Sequence, residues 1–367
     1  MLMKKTITAI TFALMTTTAS ADSVYDSLQG VGLNSIKEWS SCNNITYRAQ
    51  VATVKEYKQV FDHGWDHIVI VQCAQNLFPG DTLDETLLRK KFRAYRNTIE
   101  QIALDHPNAT WVVSFKGYDP VGKDWNYSGI KATELYQRIE TSDRMQDQFI
   151  RYWQIAAEEF RGLDRVAFNL MNEPEFTGWR GKSKWFKLAT RAIDTIRDYD
   201  PSRWIIVEGI HKSLVGRGKS PSSIMKTIDR PNIIYGFHYY GAGRDLAFDH
   251  SWMRKNRLDS VRDIDSHARK SLNTITRWGQ KNGVPTALTE TGLVGIGYTN
   301  NGLPNEERAR FARDVLTPWH KDCGCGISWW ALGDTNTPYF RVSNPHHKSQ
   351  PYPRKRDDLL FDALELK

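Results

Sequence analysis

The sequence predicts an α/β fold, a closed (β/α)8 barrel in a single domain. Three observations carry the prediction. Short β-rich runs alternate with longer amphipathic segments, eight such runs can be counted, and no Pro- or Ser-rich linker or internal repeat divides them. Strand followed by helix, repeated, is the pattern of parallel βαβ units. A barrel of this kind needs roughly 250 residues, and the chain has 367, which leaves room for long loops.

The first segment stands apart from the fold. Lys4 and Lys5 precede an apolar and small-residue run from Ile7 to Met15, and Ala19-Ser20-Ala21 has the small-x-small form of a cleavage site. This three-part pattern predicts a secretory signal over residues 1–21 and a mature domain over residues 22–367. The apolar run is too short to span a bilayer, and no later segment is long and apolar enough to do so. Export to the periplasm or the medium is the expectation.

The first strand is expected at Gly30 to Leu33. The others follow at His67 to Val71, Thr110 to Phe115, Arg165 to Leu170, Trp204 to Glu208, Asn232 to His238, Pro285 to Glu290 and Gly326 to Trp330. Residues 84–105 set Leu87, Leu88, Phe92, Tyr95, Ile99 and Ile102 at three- and four-residue steps, the period of a helix with one buried face. Residues 143–161 do the same with Met145, Phe149, Trp153, Ala156 and Phe160, and residues 181–198, 266–281 and 305–319 share the pattern. An open doubly wound sheet is the rival, but its glycine fingerprint at the first strand–helix turn is missing. Gly216-Arg217-Gly218-Lys219-Ser220 has Ser213 where a phosphate loop needs Gly, so it reads as a basic surface loop. The alternation is that of a TIM barrel.

Composition narrows the class. Hydrophobic residues at 40% and charged residues at 25% describe an ordinary globular protein. A formal net charge of +8 favours acidic partners, such as an anionic polysaccharide or a cell surface, with solubility alone as the other reading. The basic residues are scattered and no recognition motif accompanies them, which argues against nucleic acid. Thirteen Trp suit a cleft that stacks on sugar rings, although any one of them can be core. The four cysteines, Cys42, Cys73, Cys323 and Cys325, allow three pairings. Cys42 with Cys73 is preferred, both falling near one end of the barrel, whereas Cys323 and Cys325 are close enough in sequence that a bond between them is expected to be strained. No CxxC spacing and no nearby His partners point to a metal, so neither metal nor cofactor is expected.

In such a barrel the chemistry sits at the carboxyl ends of the strands. The run at 165–170 is closed by Met171-Asn172-Glu173-Pro174-Glu175, which puts Asn172 and Glu173 at the mouth, and Pro174 bars Glu173 from helical geometry. The run at 285–290 is closed by Leu288-Thr289-Glu290. Two Glu residues 117 apart, on the fourth and seventh strands, then face one another across the mouth. Glycosidic cleavage needs two such carboxyl groups, one to protonate the leaving oxygen and one to attack or to activate water. Each alone can be a strand-end ion pair; two at matched strand ends point to catalysis.

With these residues in view, the chain resembles glycoside hydrolase family 5, the cellulase and mannanase family of clan A, over nearly the whole mature chain. Gly30-Val31-Gly32-Leu33-Asn34 is similar to the family's first strand, Asn172-Glu173-Pro174 to its acid/base motif, and Phe237-His238-Tyr239-Tyr240 to its His-x-Tyr at the sixth strand. Thr289-Glu290-Thr291-Gly292 is similar to the nucleophile strand and Ser328-Trp329-Trp330-Ala331-Leu332 to the Trp-bearing eighth strand. The resemblance implies retention, with Glu173 as general acid and then base, and Glu290 as nucleophile. It implies that Asn172 binds the sugar 2-hydroxyl, that Tyr240 hydrogen-bonds the nucleophile, that His238 sits between the carboxylates and holds their charge states apart, and that Trp330 is the sugar platform.

The chain departs from the family pattern twice. Val69 stands at the place of the usual strand-two Arg, and Lys116 at the place of the usual strand-three His. Lys116 is expected to supply positive charge near the reacting sugar and Gln72 an amide, which would suit an acidic or decorated polysaccharide. Trp39, Trp125 and Trp179, near loop tips, are candidates to extend the cleft, with loop packing as the alternative for each. The leading expectation is a monomeric, retaining, endo-acting hydrolase of a β-linked, β-1,4-glucan-like polysaccharide. A non-catalytic carbohydrate-binding protein on a decayed barrel, and an enzyme that trims polysaccharide during export, stay open beside it.

Overall fold

The computed structural model describes residues 18–35, 54–74, 77–117, 132–178, 180–216, 219–240, 261–292, 305–332, 339–340 and 355–366. Eight parallel strands close into a barrel in sequence order: β1 (Val31–Ser35), β2 (His67–Cys73), β3 (Thr110–Lys116), β4 (Val166–Asn169), β5 (Ile205–Glu208), β6 (Ile233–Tyr239), β7 (Thr286–Thr291) and β8 (Gly326–Leu332). All eight coincide with the expected runs to within two residues at either end. A separate two-stranded pair, Tyr339–Phe340 with Lys355–Arg356, is antiparallel.

The helices that pack outside follow the periodicity. Helix α1 spans Thr18–Leu28, α2 Val54–Asp62, α3 Glu85–Ala103, α4 Ala132–Thr141, α5 Asp143–Glu159, α6 Gly181–Tyr199, α7 Pro221–Ile224 and α8 Val261–Asn282. On α3, Leu88, Phe92, Tyr95, Ile99 and Ile102 are buried, and Asp84 caps the first turn by accepting from the Leu87 amide. The run expected as one helix over 305–319 is broken. Helix α9 (Asn305–Phe311) passes through a wide π turn at Ala312–Leu316 into α10 (Thr317–Cys323), where Pro318 has no N–H to continue an ordinary ladder. Near the C-terminus α11 (Asp358–Ala363) buries Leu360, Phe361 and Ala363.

Two apolar layers result. Outward-facing strand residues pack on the helices through rings such as Phe115, Phe149 and Tyr152. The barrel lumen is filled by Val69, Val71, Cys73, Val112, Ala167, Ile206, Ile234 and Ala287. Val24 and Leu28 of α1 join this inner cluster, so α1 closes the floor of the barrel. Arg165 ties it down through Ser23 and Ser27, Tyr25 stacks on Trp204, and His67 Nδ1 meets the Ser27 carbonyl at 2.8 Å. Gly32 is needed here, since a Cβ at that position would lie 2.1 Å from His67 Nε2.

Cys323 and Cys325 are joined to one another, against the expectation that their spacing disfavours it. Cys73 is also disulfide-bonded. The expected partner, Cys42, lies outside the described residues, as do Trp39, Trp125 and Trp179. Among the described residues, no helix is long and apolar enough to cross a membrane.

Candidate active site

The two-residue period of a strand carries the lumen from apolar to polar on the way up. Val112 is followed on the same face by Ser114 and Lys116, Ile206 by Glu208, Ile234 by Gly236 and His238, and Ala167 by Asn169. At β7 the register slips between Leu288 and Thr291. Such a bulge re-aims side chains, and here Thr289 bonds to Glu208 inside the lumen while Glu290 is held by residues of the mouth.

These strands bring Glu173, His238 and Glu290 together. One oxygen of each Glu and one ring nitrogen of the His lie within 4.8 Å of one another. His238 Nδ1 is 3.4 Å from Glu173 Oε1 and 3.9 Å from Glu290 Oε1, and its Nε2 is 3.0 Å from Glu208 Oε2. Asn172 Nδ2 donates to Glu290 Oε2 at 3.0 Å, and the Tyr240 hydroxyl donates to Glu290 Oε1 at 2.5 Å. Lys116, buried on β3, sets its ammonium 4.7 Å from the centroid of the Trp330 ring, a cation over an aromatic face.

Glu173 has a φ of 55°, in the left-handed region, a larger departure from helix than Pro174 alone demands. Such a backbone costs on the order of 1–3 kcal/mol and persists only where surroundings impose it. Here the Glu173 amide donates to Glu208 Oε2 at 2.8 Å, the Asn172 amide to the Phe115 carbonyl at 2.8 Å, and the Tyr136 hydroxyl to the Asn172 carbonyl at 2.5 Å. The turn after β5 carries three more non-glycine residues at positive φ: His211, Lys212 and Ser213. It sets Lys212 3.0 Å from Glu175.

The charges interlock. Burial pushes the Glu173 carboxyl up, but Lys116, His238 and Lys212 outweigh it and bring it down to about 2. Burial disfavours the His238 imidazolium, yet Glu208, Glu290 and Glu173 raise it well above its ordinary value. Burial likewise acts against the Glu208 carboxylate, and His238 with the Glu173 amide and Asn169 holds its pKa below the usual value. The shifts of Glu173 and His238 both favour the proton on His238 over Glu173. The three convergent groups Glu173, His238 and Glu290 are spaced as a cation would require.

Of the expected site residues, Asn172, Glu173, His238, Tyr240, Glu290, Lys116 and Trp330 share this mouth. Gln72 does not. It has the strand parity of Ile68 and Ile70, which pack on the helices, whereas Val69, Val71 and Cys73 face the lumen, and its Nε2 donates to the Cys73 carbonyl. The strand period turns its amide away from the cleft. Val69, in the place of the family's Arg, is part of the apolar filling. Sequence reasoning missed Tyr136, Asn169 and Glu208. Glu208 closes an apolar strand just as Glu290 does, so the same rule applied to every strand end finds it.

Among curated proteins, the manganese dependent endoglucanase Eg5A of Phanerodontia chrysosporium is 23% identical over 287 residues, which cover 77% of this chain and 65% of that one. Endoglucanase C of Acetivibrio thermocellus is 25% identical over 122 residues, 32% of this chain and 31% of that one. The chain thus spans less than two thirds of the length of either relative. Among solved structures, the clostridial cellulose synthase subunit Z from Clostridioides difficile superposes with a TM-score of 0.66 at 19% identity, covering 91% of this chain and 99% of that one. Thermotoga maritima Cel5A in complex with mannotriose gives 0.68 at 15% identity, with 94% and 99% covered. These two show the fold. The model of the cellulase family, glycosyl hydrolase family 5, matches residues 123–336, more than half of the sequence, and the chain belongs to that family.

Proposed function

We propose that the protein is an exported, retaining, endo-acting glycoside hydrolase that cleaves a β-linked polysaccharide with a β-1,4-glucan-like backbone by double displacement. One observation carries the reading: oxygens of Glu173 and Glu290 lie within 4.8 Å of one another beside His238. Retaining enzymes hold their carboxyl groups about 5–5.5 Å apart, and inverting ones about 6.5–9.5 Å apart to admit a water. Glu290, held on both oxygens, is the nucleophile; Glu173 protonates the leaving oxygen and then deprotonates water. Asn172 Oδ1, buried and without a partner among the described residues, is the acceptor for a sugar 2-hydroxyl. Trp330 is the platform, and Lys116 beside it favours a substrate carrying acidic or oxygen-rich substituents. Trp39 and Trp179 extend the cleft, and the protein acts as a monomer.

Manganese dependence, as named for the Phanerodontia relative, is not part of the reading for this chain. The deciding experiment is a screen of the purified mature protein on soluble glucans, mannans, xylans and anionic polysaccharides, read by new reducing ends, with Glu290→Ala as control. Inverted anomeric configuration in the first-formed product would sink the double-displacement part. A second reading, a carbohydrate binder without turnover, is favoured by Val69 in the Arg position and by the low proton affinity of Glu173. Release of phenol from an activated aryl β-glycoside removes it; binding without turnover on every substrate establishes it.

A further inference from the structure

Glu208 lies in the lumen at the end of β5 with no exposed surface. Its two oxygens receive groups from three other strands or their ends. Oε1 accepts from Asn169 Nδ2 at 2.7 Å and from Thr289 Oγ1 at 2.9 Å. Oε2 accepts from the Glu173 amide at 2.8 Å and lies 3.0 Å from His238 Nε2, a charge contact in which Nε2 has no in-line hydrogen-bond partner among the described residues. Two of these four groups adjoin the reacting carboxylates directly, since Thr289 precedes Glu290 and the Glu173 amide is that of the acid/base itself. The cradle is cut to size. Gly236 stands opposite Glu208 in the β5–β6 register, and a Cβ there would lie 2.9 Å from Glu208 Cγ and 2.7 Å from Thr289 Cγ2. Burying a carboxylate costs several kcal/mol, roughly, unless it is fully paired and hydrogen-bonded. A barrel with an apolar residue at this position would avoid that cost, so the carboxylate calls for a functional account.

We propose that Glu208 is a positioning residue for the acid/base pair: it keeps the Nε2 proton of His238 turned toward itself, so that Nδ1 is the ring atom that exchanges a proton with Glu173. The catalytic half of this proposal rests on the glycosidase reading above. With Nε2–H committed to Glu208, Nδ1 has two states. As N–H it donates toward Glu173 Oε1; as a bare lone pair it accepts from the protonated carboxyl. In the first half-reaction the Nδ1 proton passes to Glu173 and on to the glycosidic oxygen. The bond from that oxygen to the anomeric carbon breaks as Glu290 forms its own. In the second, water loses a proton to Glu173, which returns it to Nδ1, while the water oxygen displaces Glu290. The cycle closes without an outside acid or base. Among the described residues, the other charged or ionisable groups facing the pair are Lys116 from β3, Tyr136 from α4, Lys212 after β5, Glu290 from β7 and Tyr240 after β6, and none of them is recorded against Nε2.

The test begins with the resting wild-type protein. Imidazole nitrogen NMR, with the His238 signals identified by their loss in His238→Asn, reads which nitrogen keeps its proton. Nε2 is expected to stay protonated throughout the titration, and a neutral ring protonated on Nδ1 alone overturns the proposal. This reading needs no turnover, so it stands or falls separately from the hydrolase reading, which an inactive wild type would end by itself. On an aryl β-glycoside, Glu208→Gln is expected to lower kcat about ten- to a hundredfold with little change in KM. Its basic pH limb should move down by about 1–3 units, because the anion that sustains the His238 proton is gone. Glu208→Asp, which keeps the charge, should keep the limb near the wild-type position. Equal losses in both variants with an unmoved limb would reduce Glu208 to packing and overturn the proposal. If Glu208→Gln does not fold, the wild-type tautomer together with Glu208→Asp decides the matter.

Discussion

The hydroxyl of Tyr240 lies 2.5 Å from Oε1 of Glu290 and donates to it. With Asn172 on the other oxygen, the carboxylate is oriented before a sugar arrives. A hydrogen bond to a charged group contributes about 1.5–3 kcal/mol. Tyr240→Phe is therefore expected to lower kcat/KM on an aryl β-glycoside by about ten- to a hundredfold. Steady-state kinetics at wild-type rates would show that Tyr240 does not orient the nucleophile.

The two carboxylates should fail in different ways. If Glu290 is the group that bonds to the anomeric carbon, Glu290→Ala should abolish turnover on every substrate. If Glu173 is the proton donor, hydrolysis of natural glycans should be lost in Glu173→Ala. A substrate whose leaving group needs no protonation should still form the glycosyl-enzyme, and added azide should release it as the glycosyl azide. Recovery of azide product from Glu290→Ala instead would reverse the assignment.

Glu173 also makes stability depend on pH. Its carboxyl is lowered from 4.5 to about 2 in the folded protein, so between those values the unfolded chain binds more protons. Its contribution is present above 4.5 and is lost as pH falls toward about 2. The Tm should drop across this window, and Lys116→Met, which removes the foremost attraction opposing burial, should flatten the drop. A Tm that falls identically in the variant would mean that Lys116 does not set the carboxyl.

If the site works by proton transfer alone, dialysis against EDTA should leave the rate on a soluble glucan unchanged, and added divalent cation should not raise it. Loss of activity on chelation, restored by metal, would move Glu173, His238 and Glu290 to a different role.

The floor of the barrel makes a separate prediction. Leu28 is 2% exposed and lies in the lumen cluster with Val24. Leu28→Ala should cost about 2–5 kcal/mol in denaturant unfolding. Removal of residues 1–21, the expected signal, leaves Ser23, Val24 and Leu28 in place and should not change the midpoint.

Much of this was legible in the sequence because barrel strands carry strong local signals. Ile205–Glu208 is a β-branched run that ends on Glu208, and Ile233–Tyr239 is β-branched and aromatic apart from Gly236 and His238, with His238 on the lumen parity of Ile234. Helix α3 shows its buried stripe in its spacing. What escaped depends on contacts distant in sequence. Tyr136 matters because α4 brings its hydroxyl to Asn172, 36 residues away. Gln72 misled because one residue of strand parity separates the lumen from the helix layer. Helix α1 merges with a segment that reads as a signal, and its contacts with the lumen cluster, His67, Arg165 and Trp204 assign it to the fold.

The plug of α1 under the barrel fixes a direction. Helix α1 enters the domain at the pole opposite the carboxyl ends of the strands. An anchor, tag or resin joined ahead of Ser23 would therefore grip the molecule by its base and turn those strand ends outward. A long polymer could reach them without meeting the support.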